Sequence, residues 1–173
     1  MIKNIILDID RTLVHSVEKN IVKKEWLEFF ETVDIGDYIV FLRPGVRDFI
    51  NWLTESKYTV GLFTASCRGY ATEISKILFK NDLLFILSEV QYDDSRFKYK
   101  RLKPLEYVID LYPNLILSES LLIDDSNSVK KHNEKYCYKI RPFVVCFDDS
   151  KGFCDRSIED KELIKCKDFI KMN

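Results

Sequence analysis

Two aspartates, Asp8 and Asp10, follow the hydrocarbon run Ile5-Ile6-Leu7 in the stretch IILDIDRTLVHS. A second pair, Asp124 and Asp125, follows Leu121-Leu122-Ile123 in SLLIDDS. Side chains two positions apart on an extended strand point the same way, so Asp8 and Asp10 face one site as long as extension persists. Carboxylates crowded beside buried hydrocarbon repel one another and lose hydration, and something positive must compensate. If both pairs leave strands of one parallel sheet, they emerge on the same edge and converge. An oxygen-rich cluster with no partnering His or Cys selects a hard cation, Mg²⁺ before Zn²⁺. Thr64 and Ser66, in GLFTAS, bring hydroxyls and backbone N–H groups that suit a phosphate oxygen. Lys103 leads toward SLLIDD, where a lysine would neutralise carboxylates and grip phosphate. Taken singly, each feature has a plainer explanation: aspartates cap helices and open turns, threonines cap, and a lysine within KYKRLK (98–103) is solvated. It is the recurrence of acidic pairs at two strand exits that argues for a site.

Such residues need a frame that holds strand ends together. Short apolar runs read as strands covered on both faces: NIILDI (4–9), YTVGLFT (58–64), LFILSEV (84–90), SLLID (120–124) and FVVCF (143–147). Between them the apolar period becomes helical. Val46, Phe49, Ile50 and Leu53 form one stripe within 45–56, and Ile74, Ile77 and Leu78 another within 70–81. Leu105, Val108, Ile109 and Tyr112 form a third within 103–112, where Pro104 fits the first turn. Strands alternating with helices predict an α/β fold: a mainly parallel central sheet flanked by helices, with right-handed crossovers. Ligands on such sheets bind at the carboxyl ends of the strands. Residues 14–42 break the rhythm and read as an insertion after the first strand, hairpin-like. The tail at 160–171 has Leu163, Ile164, Cys166 and Ile170 at helical spacing and closes the domain. With no repeat, low-complexity segment or linker, residues 1–173 are expected to form a single domain.

Composition narrows the class. The chain is 46% hydrophobic and 32% charged, a globular profile, and its net charge of −1 argues against nucleic acid or an anionic membrane surface as partner. Five cysteines, an odd count with no CxxC pair, fit neither a disulfide framework nor a zinc site. No secretory signal opens the sequence, and no run approaches the roughly 20 apolar residues of a membrane span. A soluble intracellular protein, nuclear or cytoplasmic, is the expectation.

The motif DIDRTLVHS resembles the DxDxT signature of haloacid-dehalogenase (HAD) phosphatases, and more narrowly the small-CTD-phosphatase and Fcp branch. FLRPGVRDFI (41–50), GLFTASCRGYA (61–71), LKPLEYV (102–108), SLLIDDSNSV (120–129), YKIRPF (138–143) and DKELIKCKDFI (160–170) follow in the order of that branch. The resemblance spans about residues 4–170. It implies a Rossmann-like HAD fold without a large cap domain, residues 14–42 standing for a small flap. It also implies Mg²⁺-dependent phosphate removal through an aspartyl-phosphate. Asp8 then matches the nucleophile and a metal ligand. Asp10 matches the general acid/base, its backbone carbonyl also binding metal. Thr64 matches the phosphate-binding hydroxyl, and Asp124 and Asp125 match the metal-holding acids. Lys103 in KPL matches the phosphate-gripping lysine, and Lys100 in KRL aligns as well. Arg11 stands where the branch often has Glu. The implied substrate is a phosphoprotein or phosphopeptide carrying phosphoserine or phosphothreonine. A phosphatase of small metabolites or nucleic-acid ends is the alternative, and a catalytically idle scaffold a further one.

Overall fold

The protein is described here from a computed structural model, which covers residues 1–80, 82–88, 102–145 and 157–173. Among the described residues five strands form the main sheet: β1 (Asn4–Leu7), β5 (Thr59–Phe63), β6 (Phe85–Leu87), β7 (Ser120–Asp124) and β8 (Cys137–Lys139). Their spatial order is β6-β5-β1-β7-β8, and every pairing is parallel. The α-helices that flank it among the described residues are α1 (Val46–Glu55), α2 (Arg68–Phe79), α3 (Leu105–Leu111), α4 (Asn127–Asn133) and α5 (Glu162–Met172).

Side-chain alternation along the strands divides the core. Ile5, Leu7, Val60, Leu62, Leu121 and Ile123 pack with apolar residues of α1, α2 and α5. Ile6, Phe63, Phe85, Leu87 and Leu122 pack with those of α3 and α4. The sheet is therefore covered on both faces, which is why its strands read as nearly unbroken hydrocarbon. Each such chain taken out of water contributes about 1.5–3 kcal/mol toward folding.

The 14–42 interval is more than a hairpin. It forms a three-stranded antiparallel sheet, β2 (Val14–Glu18), β3 (Thr32–Ile35) and β4 (Tyr38–Leu42), in the order β2-β4-β3. Val17, Trp26, Phe30, Phe41, Phe143 and Val145 make a separate small core beneath it.

One expected strand is displaced. Residues 143–145 of FVVCF are not a strand; the fifth place in the sheet belongs to β8, a few residues earlier, in register with Leu122–Asp124. Phe143 and Val145 are buried against the small sheet instead, so their hydrophobicity serves a different core. Residues 146 and 147 of that run, and 89 and 90 of the third, lie outside the described residues. Helix α4 was not expected, because its polar sequence NSVKKHN carries no apolar stripe; the Ser126 side chain caps it by accepting from the Val129 N–H at 3.4 Å.

Candidate active site

Register explains the meeting of the acids. Leu7 is level with both Leu62 and Ile123, so the residues that follow them reach the same edge of the sheet on adjacent strands. Asp8 still donates its backbone N–H to the Ile123 carbonyl at 3.0 Å, and Thr64 does the same to Leu87 at 2.9 Å. Alternation turns Asp8 and Asp124 to the face of Ile6 and Leu122, the face that α3 covers. Lys103, just before α3, reaches both.

The resulting cluster is tight. One carboxylate oxygen from each of Asp8, Asp124 and Asp125 lies within 4.8 Å of the others, and all three residues are buried. The Lys103 ammonium is in contact with Asp8 Oδ1 and donates to Asp124 Oδ2 at 2.6 Å. The second oxygen of Asp8 accepts from the Thr12 hydroxyl at 3.1 Å, and that of Asp124 from the Ser126 N–H at 2.7 Å. Arg11 pairs with Asp125 at 3.3 Å from the solvent side. Burial pushes the Asp8 carboxyl up to about 7, against the opposing pull of Lys103 and with the help of Asp124. Burial likewise raises Asp125, Arg11 opposing it.

Asp10 stands differently from its sequence neighbour. Extension stops at Leu7, and Arg11 turns the chain through a left-handed φ of 60°. The Asp10 carboxylate consequently lies outside the three-acid group. It accepts from the Tyr70 hydroxyl at 3.0 Å through Oδ1 and from the Ser66 hydroxyl through Oδ2. It remains close enough to add to the negative field on Asp8. Tyr70 is held as the neutral phenol, its ionisation opposed by burial and by the Asp10 charge. Thr64 is fully buried, and its Oγ1 accepts from the Ser66 N–H at 3.1 Å. The sequence-predicted residues Asp8, Asp124, Asp125 and Lys103 are thus in mutual contact or nearly so. Asp10 and Ser66 form a second pair, with Thr64 bonded to the Ser66 backbone. Lys100, the other candidate lysine, lies outside the described residues.

Three supporting residues escaped the sequence reading. Asn133, buried at the end of α4, accepts from the Leu105 N–H at 3.0 Å and donates to the carbonyls of Leu102 and Lys103 at 3.2 Å. It braces the turn that carries Lys103, whose own φ is a left-handed 47°. Arg43, fully buried, donates to both oxygens of Asp160 at 3.0 Å, to the Thr12 carbonyl at 2.9 Å and to the Arg141 carbonyl at 2.7 Å. It ties the loop after β1 to the start of the closing helix. Tyr70 is the third. Arg43 and Asp160 sat inside recognised motifs, RPG and DKEL, but nothing local said that they meet 117 positions apart.

The arrangement suits a divalent cation. Three carboxylates, those of Asp8, Asp124 and Asp125, gather around the Lys103 and Arg11 side chains, and the donors that converge are all hard oxygens. No helix among the described residues is long and apolar enough to cross a membrane.

The chain is similar to known proteins in sequence and in fold. The chain is 28% identical to a CTD phosphatase-like protein of Invertebrate iridescent virus 6, over 97% of each chain. It is 27% identical to the corresponding protein of Invertebrate iridescent virus 3, over 94% of this chain and 92% of the relative. Among solved structures it is similar to Fcp1, an essential RNA polymerase II CTD phosphatase, with a TM-score of 0.60 and 24% identity over 97% of this chain. The fission yeast Fcp1 bound to beryllium fluoride gives 0.59 and 23%. This chain spans about half of the solved Fcp1 chains, 49% and 50%. The two structural likenesses establish a shared fold, a mainly parallel sheet flanked by helices. Matching the NLI interacting factor-like phosphatase family over residues 3–172, with its acidic strand exits brought to one edge, the chain belongs to that family of phosphatases.

Proposed function

We propose that this protein is a Mg²⁺-dependent phosphomonoesterase that works through an aspartyl-phosphate on Asp8, with phosphoserine or phosphothreonine in a protein as substrate. In this reading the whole chain acts as one catalytic domain and the β2-β4-β3 sheet is its flap. The observation that carries it is the convergence of Asp8, Asp124, Asp125 and Lys103 at the carboxyl edge of a parallel sheet. Three buried carboxylates with a single buried lysine among them have little structural purpose, since close like charges cost stability.

Each side chain has a part in the chemistry. Asp8 would attack phosphorus with one carboxylate oxygen; the bond from phosphorus to the leaving oxygen breaks, and Asp10 gives that oxygen a proton. Water then attacks the phosphorus, Asp10 takes its proton, and the bond to Asp8 breaks to release phosphate. Thr64 and Lys103 hold the phosphoryl oxygens, with Ser66 beside them. Asp8, Asp124, Asp125 and the Asp10 carbonyl would hold the cation, which supplies charge neutralisation for the transferring phosphoryl group. No large cap stands over the site among the described residues, which suits a peptide substrate, and the viral relatives and Fcp1 bear CTD-phosphatase names.

The test is a substrate panel with and without Mg²⁺. Phosphoserine and phosphothreonine peptides should release phosphate only with Mg²⁺, and Asp8→Asn should abolish turnover while beryllium trifluoride binds the wild-type protein. Turnover of sugar phosphates with none of peptides would transfer the assignment to small metabolites. A folded wild-type protein inert toward every substrate would overturn the enzymatic reading.

A further inference from the structure

Asp10 is the one acid of the site whose carboxylate is held by neutral hydroxyls instead of cations. The Tyr70 hydroxyl bonds Oδ1 at 3.0 Å, and the Ser66 hydroxyl bonds Oδ2. Tyr70 is in turn only 2.5 Å from the hydroxyl of Ser16, on strand β2 of the small sheet. A phenol has one proton, and an ionised carboxylate only accepts. While the Tyr70 O–H donates to Asp10, Ser16 donates to Tyr70, so a directed chain runs from Ser16 through Tyr70 to Asp10.

The loop that carries Asp10 would not hold its carboxyl by itself. It follows the end of β1 and precedes the left-handed Arg11, and the Lys103 ammonium lies in the neighbouring cluster. A carboxylate free to rotate there would be drawn to that positive charge and away from any leaving group. We propose that Tyr70, anchored by Ser16, is a positioning residue for Asp10, fixing one carboxyl oxygen while Ser66 fixes the other and keeping the group apart from the Asp8-Asp124-Asp125 cluster. This rests on Asp10 being the acid/base of the proposed reaction. It also gives the small sheet a part in the chemistry, because β2 supplies the anchor.

Two aryl phosphates of similar size separate this role from others. Phenyl phosphate needs its leaving oxygen protonated, whereas p-nitrophenyl phosphate releases a stable anion. Tyr70→Phe keeps the ring and removes only the hydroxyl. A well-placed general acid is worth about a hundredfold or more, so its partial misplacement should lower kcat/KM for phenyl phosphate about tenfold further than for p-nitrophenyl phosphate. Ser16→Ala should shift the ratio in the same direction by a smaller factor. A crystal structure of Tyr70→Phe should show the Asp10 carboxyl rotated. Equal losses on both substrates, no loss on either, or an unmoved Asp10 would overturn the proposal. Should the wild-type protein hydrolyse neither these compounds nor any phosphopeptide, the phosphatase reading itself fails and takes this inference with it, a failure visible before any variant is made. With phosphopeptides as the sole substrates, the position of Asp10 in Tyr70→Phe decides.

Discussion

Lys103 is the residue on which the site's charge balance turns. It is buried, touches Asp8 and Asp124, and is held in a left-handed conformation that lysine does not favour. Replacing it with Met would leave two buried carboxylates without that partner, a change that typically costs about 3–5 kcal/mol. Urea unfolding of Lys103→Met at neutral pH without Mg²⁺ should show a loss of this order, and added Mg²⁺ should recover more stability in the variant than in the parent. Asn133 supports the lysine from behind. Asn133→Ala would leave the Leu105 N–H and two carbonyls without their partner, at about 1–3 kcal/mol, and should lower turnover by loosening the Lys103 turn. Asn133→Asp keeps the acceptor for Leu105 and loses the donor, so it should fall between the parent and the alanine variant in denaturant midpoint.

At the scale of elements, two contacts decide whether the strand ends arrive together. Gly61 of β5 lies opposite Phe85 of β6, and a Cβ there would stand 2.2 Å from the tip of the Phe85 ring. Phe85 is itself stacked on Tyr112 beyond the end of α3, with ring centroids 4.6 Å apart, so moving the ring aside gives up that contact. Gly61→Ala should therefore destabilise the fold by about 1–3 kcal/mol, and combining it with Phe85→Leu should recover part of that loss in a double-mutant cycle. The other contact is Arg43 with Asp160. Its planar fork serves both carboxylate oxygens and two carbonyls at once, a geometry that lysine cannot reproduce. Arg43→Lys should thus lower the melting temperature and, by freeing the Thr12 backbone, loosen the hold of Thr12 on Asp8.

For the molecule as a whole, the titrating groups pull in opposite directions with pH. Asp8 is raised from 3.8 to about 7 and Asp125 is raised as well, both first by burial, so the folded chain binds their protons more tightly than the unfolded one. Their contribution to stability grows as pH falls from about 7 toward 3.8. Asp160 is held low by Arg43, in spite of its burial; its contribution is complete above the ordinary 3.8 and is lost as pH falls through its folded value. His15, lowered by burial and then by Arg11, accepts from the Val145 N–H at 3.1 Å. It favours the folded state above 6.5 and loses that contribution as pH falls through its folded value, which trims the gain from Asp8. Without Mg²⁺, unfolding free energy should accordingly peak between 3.8 and about 7. Mg²⁺ at a hundredfold excess over its Kd should add about 2.7 kcal/mol at pH 7–8 and move the peak upward. Asp125→Ala should remove most of that increment, and equilibrium unfolding across pH with and without the metal would measure both effects.

Much of this was legible in the amino-acid order because it depends on local pattern. Unbroken apolar runs such as Ile5–Leu7 and Leu121–Ile123 announce buried parallel strands, and an acid directly after each of them is placed by the chain itself at the sheet edge. The stripes of α1, α2, α3 and α5 follow from their apolar spacing in the same way, and the ordered motifs pointed to the family. What remained hidden depends on pairs far apart in the chain. FVVCF had the composition of a strand, but Phe143 and Val145 were claimed by the core under the small sheet. Asp10 lies two positions from Asp8 yet serves a different set of partners, because β1 ends at Leu7 and the extension that would turn both the same way does not persist. That Tyr70 meets Asp10, Asn133 meets Lys103 and Arg43 meets Asp160 was decided by the tertiary structure alone. A polar side chain carries no periodic signal of its partner, and the meeting exists only once the sheet has brought distant segments to one edge.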